Sequence, residues 1–401
     1  MTNTIPFLDL VTPHVELESE LLEVVRKALH SAAFIGGQAL QNFEEHFASF
    51  TGTTECVGVA SGTDALRFAL IAGGVQPGDT VLTVANTFIA TVEAIAQVGA
   101  FAEFIEVDLQ TCNMSPEKLR AYLESAKLSG SGQRLGHRTG SPITAVLPVH
   151  LFGQMADMDA IAGIAQEFNL LLFEDACQSH GAQYFSKREN RWRRAGTIGK
   201  AAAFSFYPGK NLGACGEAGA VTTGDPEIAN KIRMLREHGQ TSKYYHNVIG
   251  YNGRLDSIQA GFLDVKLTRL QEWTELRRAA AARYNSLLQA VRGVVTPFEP
   301  EHSKAVYHLY VIRVKDRELV QKHLTKVGIG TGIHYPVPVH LQVACADYGY
   351  RTGDLPVTER LASEILSLPM YPHLTADDQH RVVQELAYAT EYTQDRMLPA
   401  A

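Results

Sequence analysis

The sequence predicts an α/β protein: a mostly parallel sheet covered on both faces, followed by a smaller mixed α and β unit. Three observations carry this. From residue 56, short apolar runs ("CVGVA", "TVLTVA", "AEFIEVD", "ITAVLPVH", "NLLLFED", "AAAFSF", "GAVTT") alternate with helical stretches such as "TDALRFALIAG", "TFIATVEAIAQVG" and "DMDAIAGIAQEF". Strand and helix in alternation build parallel sheets. With 401 residues, 45% of them hydrophobic and 20% charged, the chain can bury a large core, and its length suits one large and one small domain. After "GYNGRLDSIQAG" the pattern changes to a long helical stretch reaching about Val291, then "YHLYVIRVK", a helix, "GIGTGIHYP" and two more helices. The boundary therefore falls near residue 265, dividing the chain into 1–265 and 266–401.

The elements follow in order. Leu17, Leu21, Val24 and Ala28 share one helical face, and Leu40, Phe43, Phe47 and Phe50 share another. Ser115 and Pro116 open a helix with a capping hydroxyl and a proline at the first helical position. The glycine and serine content of "SGSGQRLGHRTGS" marks a flexible insertion without chemistry. "KRENRWRR" (Lys187 to Arg194) lies between two strand-like segments and reads as a solvated loop.

Composition excludes several classes. A net charge of -7, with positive residues scattered apart from that one cluster, leaves no electrostatic footprint for nucleic acid. Five cysteines (Cys56, Cys112, Cys177, Cys215, Cys345) lie far apart without a C-x-x-C pair. This argues against a disulfide framework or a zinc site and for free thiols in a reducing cytoplasm. No basic and apolar leader opens "MTNTIPFLDL", and no run of about 18 apolar residues occurs. A cytoplasmic protein that neither spans a membrane nor is secreted is expected.

Three stretches carry candidate chemistry. In "VASGTDALRFAL" a strand runs through Ser61, Gly62 and Thr63 straight into a helix. Free N–H groups at a helix start, two hydroxyls and a glycine that permits close approach form an anion site. Alone, the motif is an ordinary capped helix. "NLLLFEDACQSHGA" ends an apolar strand in Glu174 and Asp175, where open α/β sheets bind ligands. A carboxylate there, beside Gln178 and His180, suits a metal ligand, a general base, a partner for a protonated ring nitrogen or a helix cap. No matching His/Cys/Asp spacing supports a metal. "SFYPGKNLGACGEAGA" places Lys210, its only cation, among aromatic and small residues. A lysine drawn out of water loses affinity for its proton and becomes a nucleophile able to form a Schiff base. An anion site, a strand-end Asp and a loop lysine on one sheet suggest pyridoxal phosphate, which needs a phosphate anchor, a pyridinium partner and a lysine.

"SGTDAL", "ANTFIATVEAI", "VHLFGQMADMDAI", "EDACQSHGA", "SFYPGKNLGACGEAGAV", "HGQTSKYYHNVIGYNGRLDSIQA" and "GIHYPVPVHLQ" resemble the sugar aminotransferases of the DegT/DnrJ/EryC1/StrS family, from "IPFLDL" to "LSLPMYPHLT". The resemblance implies the aspartate aminotransferase-like fold (fold type I) and a homodimer with active sites at the subunit interface. It makes Lys210 the cofactor lysine and Asp175 the partner of the pyridine nitrogen. Gly62, Thr63 and Ser205 would hold the phosphate, with Asn252 reaching it from the other subunit. Phe88 would stack on the ring and Gln178 would lie near its hydroxyl. Tyr207, His334, Tyr335 and His340 match positions lining the sugar and nucleotide pocket, although tyrosine and histidine also serve as core groups.

A branch with histidine at the lysine position performs sugar deoxygenation, so lysine here favours transamination. The implied reaction carries nitrogen from an amino acid donor, L-glutamate, to a nucleotide-linked keto-sugar. "GYNGRLDSIQA" looks more like relatives acting on 3-keto sugars than the "GYNYRMT" type of C4 enzymes. The alternatives are C4 amination, a non-nucleotide substrate such as a keto-inositol, synthesis of aminohydroxybenzoate, and a regulatory binding protein.

Overall fold

The computed structural model describes residues 4–395. The seven apolar runs form a single seven-stranded sheet in the order Glu55–Val59, Gly219–Thr223, Ala201–Ser205, Leu171–Asp175, Ile143–Val146, Thr80–Val84, Phe101–Ile105. Gly219–Thr223 runs antiparallel to both of its neighbours, and the other pairings are parallel. Period-two alternation divides the side chains between two cores. Leu82, Val146 and Phe204 pack in one, while Val81, Ala145 and Ala203 pack in the other. Both faces are thus buried.

The helical faces read from sequence turn inward: Leu17, Leu21 and Ala28 are buried, as are Leu40, Phe43 and Phe47. Ser115 caps Pro116–Ser125 by accepting from the Lys118 N–H. The small unit has its own antiparallel sheet, Val294–Val295, Tyr310–Val314 and Ile365–Leu368, and a third core around Tyr284, Tyr310 and Leu366.

Three expectations change. The boundary near residue 265 falls inside the 32-residue helix Ser257–Leu288, which spans both units as one rod. Ile5 belongs with the small unit, bridged to Ile329 and buried in the third core. "KRENRWRR" is half strand: Arg191–Arg194 pairs with Gln183–Ser186 in a hairpin, with Arg191 and Arg193 bound to Glu189. The glycine-rich insertion is tied down as well. The buried carboxylate of Glu103 accepts the N–H groups of His137, Arg138 and Thr139 at 3.0, 3.0 and 2.8 Å. A Cβ on Gly136 would come within 2.3 Å of that carboxylate.

Candidate active site

A cavity of about 520 Å³ opens at the C-terminal ends of the parallel strands and is lined by both units. It is bordered by Gly62, Thr63, Phe88, Asp175, Gln178, Ser205, Tyr207, Lys210, His334 and Tyr335. Of the residues the family resemblance assigns to the site, Asn252 and His340 do not line it, nor do Glu174 and His180 of the strand-end motif. Asn252 is exposed. His340 is 1% exposed, its Nε2 lies 3.2 Å from Glu359, and its ring packs against Phe104 and Tyr350. Within this chain the core reading of His340 replaces the pocket-lining one: its segment turns into a short 3-10 helix, Val339–Leu341, and carries the ring away from the cavity.

The anion site is built by a cap and a close approach. Ser61, in extended conformation, accepts the Asp64 N–H at 3.1 Å and starts the helix Gly62–Gly73. The N–H groups of Gly62 and Thr63 have no acceptor within the helix. A Cβ on Gly62 would lie 2.5 Å from that of Ser205, so only glycine lets the helix start meet the end of the strand Ala201–Ser205.

Strand parity separates the two carboxylates of Leu171–Asp175. Asp175 faces the cavity, its Oδ2 accepting from the Thr91 hydroxyl at 2.7 Å and its Oδ1 from the Cys177 N–H at 3.2 Å. Glu174 faces the other way, fully buried. It takes His150 Nε2 at 2.9 Å and the N–H groups of Gly196, Ile198 and Gly199 at 2.9, 2.8 and 2.6 Å. Burial pushes the Glu174 pKa up, but these hydrogen bonds outweigh it and hold the group below its ordinary range.

Lys210 sits in a tight loop closed by its own N–H to the Tyr207 carbonyl at 2.8 Å and by the Ala214 N–H to the Phe206 carbonyl at 2.7 Å. Burial lowers its pKa, opposed by the neighbouring Cys177 and the Asp175 carboxylate. Across the cavity, Gln178 donates to the Tyr335 hydroxyl at 3.2 Å and accepts the Phe152 N–H at 2.7 Å. Phe88 meets the Tyr335 ring at 5.4 Å. His334 stacks on Phe7 and lies 2.9 Å from Ser367 Oγ. Burial and the Lys210 charge push its pKa down to about 4. Phe88 and Tyr207 are 53% and 54% exposed at the cavity mouth.

Reading by motif passed over Phe7, Cys177, Glu217 and His308, which also line the cavity. Thr91, inside the quoted "ANTFIATVEAI", escaped notice because its partner Asp175 lies 84 residues away. Among the described residues no cluster of His, Cys, Asp and Glu is arranged to hold a metal.

The residues present fit pyridoxal phosphate: the helix start and Ser205 suit a phosphate, the buried Asp175 carboxylate suits a protonated ring nitrogen, and a desolvated amine lines the same cavity. Fold and site together define a pyridoxal phosphate-dependent aminotransferase of fold type I. The chain belongs to the DegT/DnrJ/EryC1/StrS aminotransferase family, whose pattern it matches over residues 15–387. It is 42% identical to the "Pleiotropic regulatory protein" of Geobacillus stearothermophilus, across 96% of this chain and 98% of the other. It is 40% identical to the dTDP-3-amino-3,4,6-trideoxy-alpha-D-glucose transaminase of Streptomyces venezuelae, across 95% of each. The crystal structure of S. venezuelae DesV in complex with a ketimine intermediate superposes with a TM-score of 0.89, at 39% identity, across 97% of this chain and 99% of that one.

Proposed function

We propose that the protein moves an amino group from an amino acid, L-glutamate by resemblance, to C3 of a nucleotide-linked keto-sugar. The observation that carries this reading is the convergence of a desolvated lysine, a strand-end carboxylate and an open helix start on one cavity. The name of the S. venezuelae relative supports C3, as does "GYNGRLDSIQA".

In this reading each side chain has a task. The N–H groups of Gly62 and Thr63 and the Ser205 hydroxyl bind the phosphate, where the helix dipole favours negative charge. Asp175, fixed by Thr91 and Cys177, keeps the ring nitrogen protonated. Phe88 would stack on the ring, and Gln178 would lie near its hydroxyl. Bound pyridoxal phosphate supplies the electron sink. Lys210 holds the cofactor at rest. Once free, its Nζ takes the proton from the donor's α-carbon, and in the second half-reaction it helps move a proton at the sugar carbon. The lowered Lys210 pKa increases the neutral fraction able to do so. Tyr207, His334 and Tyr335 border the space left for the sugar.

The exposed Asn252 and the open aromatic mouth suit a second copy of the chain closing each cavity, with Asn252 reaching the neighbour's phosphate. Asn252→Ala and Lys210→Ala subunits, each inactive alone, are then expected to regain up to half of a wild-type dimer's activity in isolated mixed dimers. No recovery in verified mixed dimers assigns Asn252 to its own subunit's site or to the fold alone. The substrate is tested with L-glutamate and a panel of dTDP-, UDP- and GDP-linked 3-keto and 4-keto sugars. The reverse reaction uses dTDP-3-amino-3,4,6-trideoxy-α-D-glucose with 2-oxoglutarate. Turnover confined to C3 substrates is expected; turnover of a free keto-inositol but no nucleotide sugar overturns the reading.

A further inference from the structure

His308 lines the cavity but has no task in the scheme above. Its Nδ1 lies 3.3 Å from Asn211 Oδ1, and Asn211 Nδ2 lies 3.0 Å from the Val306 carbonyl. A carbonyl only accepts, so the amide NH2 of Asn211 faces Val306 and its oxygen faces His308. That oxygen also only accepts, so the proton of a neutral His308 resides on Nδ1. Nε2 then carries a lone pair, and among the described residues no group of the chain bonds to it. Asn211 is 6% exposed and directly follows Lys210, so this arrangement is built into the loop that carries the amine.

We propose that Asn211 holds His308 as the Nδ1–H tautomer, so that Nε2 accepts a hydrogen bond from a hydroxyl on the sugar half of the substrate. The inference rests on the nucleotide-sugar reading above. Charge selects the ligand class. Burial pushes the His308 pKa well down, and the positive charges of Lys210 and Arg277, with His180 and His334, act in the same direction. The ring is neutral near pH 7. A neutral acceptor offers nothing to the carboxylates of an amino acid donor, whereas a sugar hydroxyl taken out of water needs an acceptor. Asn211 is a positioning residue; His308 is the group that touches substrate.

Two measurements test this. In 15N-histidine NMR of the holoenzyme, with His308 assigned by its loss in His308→Gln, the neutral ring is expected to show Nδ1 protonated and Nε2 bare. Asn211→Leu is expected to mix the tautomers. A wild-type ring protonated on Nε2 overturns the lock whatever the substrate proves to be. In the reverse reaction with dTDP-3-amino-3,4,6-trideoxy-α-D-glucose, His308→Leu is expected to raise the sugar KM about tenfold. The sugar half-reaction should lose far more than the L-glutamate half-reaction, and His308→Gln, which keeps an acceptor oxygen, should recover most of the loss. Equal losses in both half-reactions, or no rescue by Gln, overturn the proposal. Wild type that leaves this probe untouched counts against the nucleotide-sugar reading, and the NMR pattern then decides the lock alone.

Discussion

The floor and the wall of the cavity are made differently. The floor consists of the helix start at Ser61 to Thr63, Asp175, Ser205 and the Lys210 loop, all at strand ends of one sheet. The wall brings His308, His334, Tyr335 and Met370 from the other side, with Phe7 of the N-terminal segment packed on His334. Floor groups are placed by ladder register and by capping within a few residues. Wall groups are placed by contacts across long separations, such as Gln178 to Tyr335 and His334 to Ser367. In the proposed function the floor carries the chemistry and the wall the substrate preference, and substitutions on each can break that division.

The largest effect is expected from Lys210→Ala. Turnover should fall by about four orders of magnitude, with the thermal midpoint near wild type, because the side chain sits in a loop and, among the described residues, forms no ion pair. Near-normal steady-state turnover would falsify its role. Asp175→Asn comes next, with a fall of about a hundredfold in both half-reactions and little change in cofactor absorbance. Wild-type half-reaction rates would reduce Asp175 to a structural group.

Glu174→Gln, one residue away on the opposite face, separates scaffold from chemistry. It is expected to cost about 3 kcal/mol of stability in urea unfolding, because His150 and three N–H groups lose a carboxylate. The Glu174 pKa is depressed in the folded state, so its stabilisation is complete above the ordinary glutamate range, near pH 4.3. It is lost as pH falls through the lower folded value. The variant should therefore lose less stability than wild type on acidification below that range; equal acid sensitivity would remove Glu174 from this account. The smallest effect belongs to the wall: Tyr335→Phe loses one hydrogen bond from Gln178, and about a fivefold rise in sugar KM is expected from steady-state kinetics, with the donor KM little moved. A larger fall in the donor half-reaction than in the sugar one would erase the distinction between floor and wall.

The same division explains what was legible in the sequence. Each floor element is a short contiguous motif whose geometry is local: a strand running into a capped helix, a carboxylate ending an apolar run, a lysine that is the only cation of its loop. The short apolar runs likewise show the large sheet. Tertiary partners were hidden. "SGSGQRLGHRTGS" reads as a flexible insertion because Glu103, which anchors it, lies more than 30 residues earlier. His334 and His340 lie six residues apart in "GIHYPVPVH"; the sequence favours the pocket for His334 and leaves His340 between core and pocket, and the turn at Val339–Leu341 places His340 against Glu359. His308 in "YHLY" is a polar residue within an apolar run; that signal was present, but its meaning depended on Asn211, 97 residues away.

The central claim is that Lys210 is the residue that holds the cofactor. Borohydride reduction of the holoenzyme followed by peptide mass mapping tests it most directly. The pyridoxyl mass is expected on the peptide containing Lys210 and nowhere else. The same mass on a different lysine, or an unmodified Lys210 after the cofactor's absorbance has been bleached, would contradict the account.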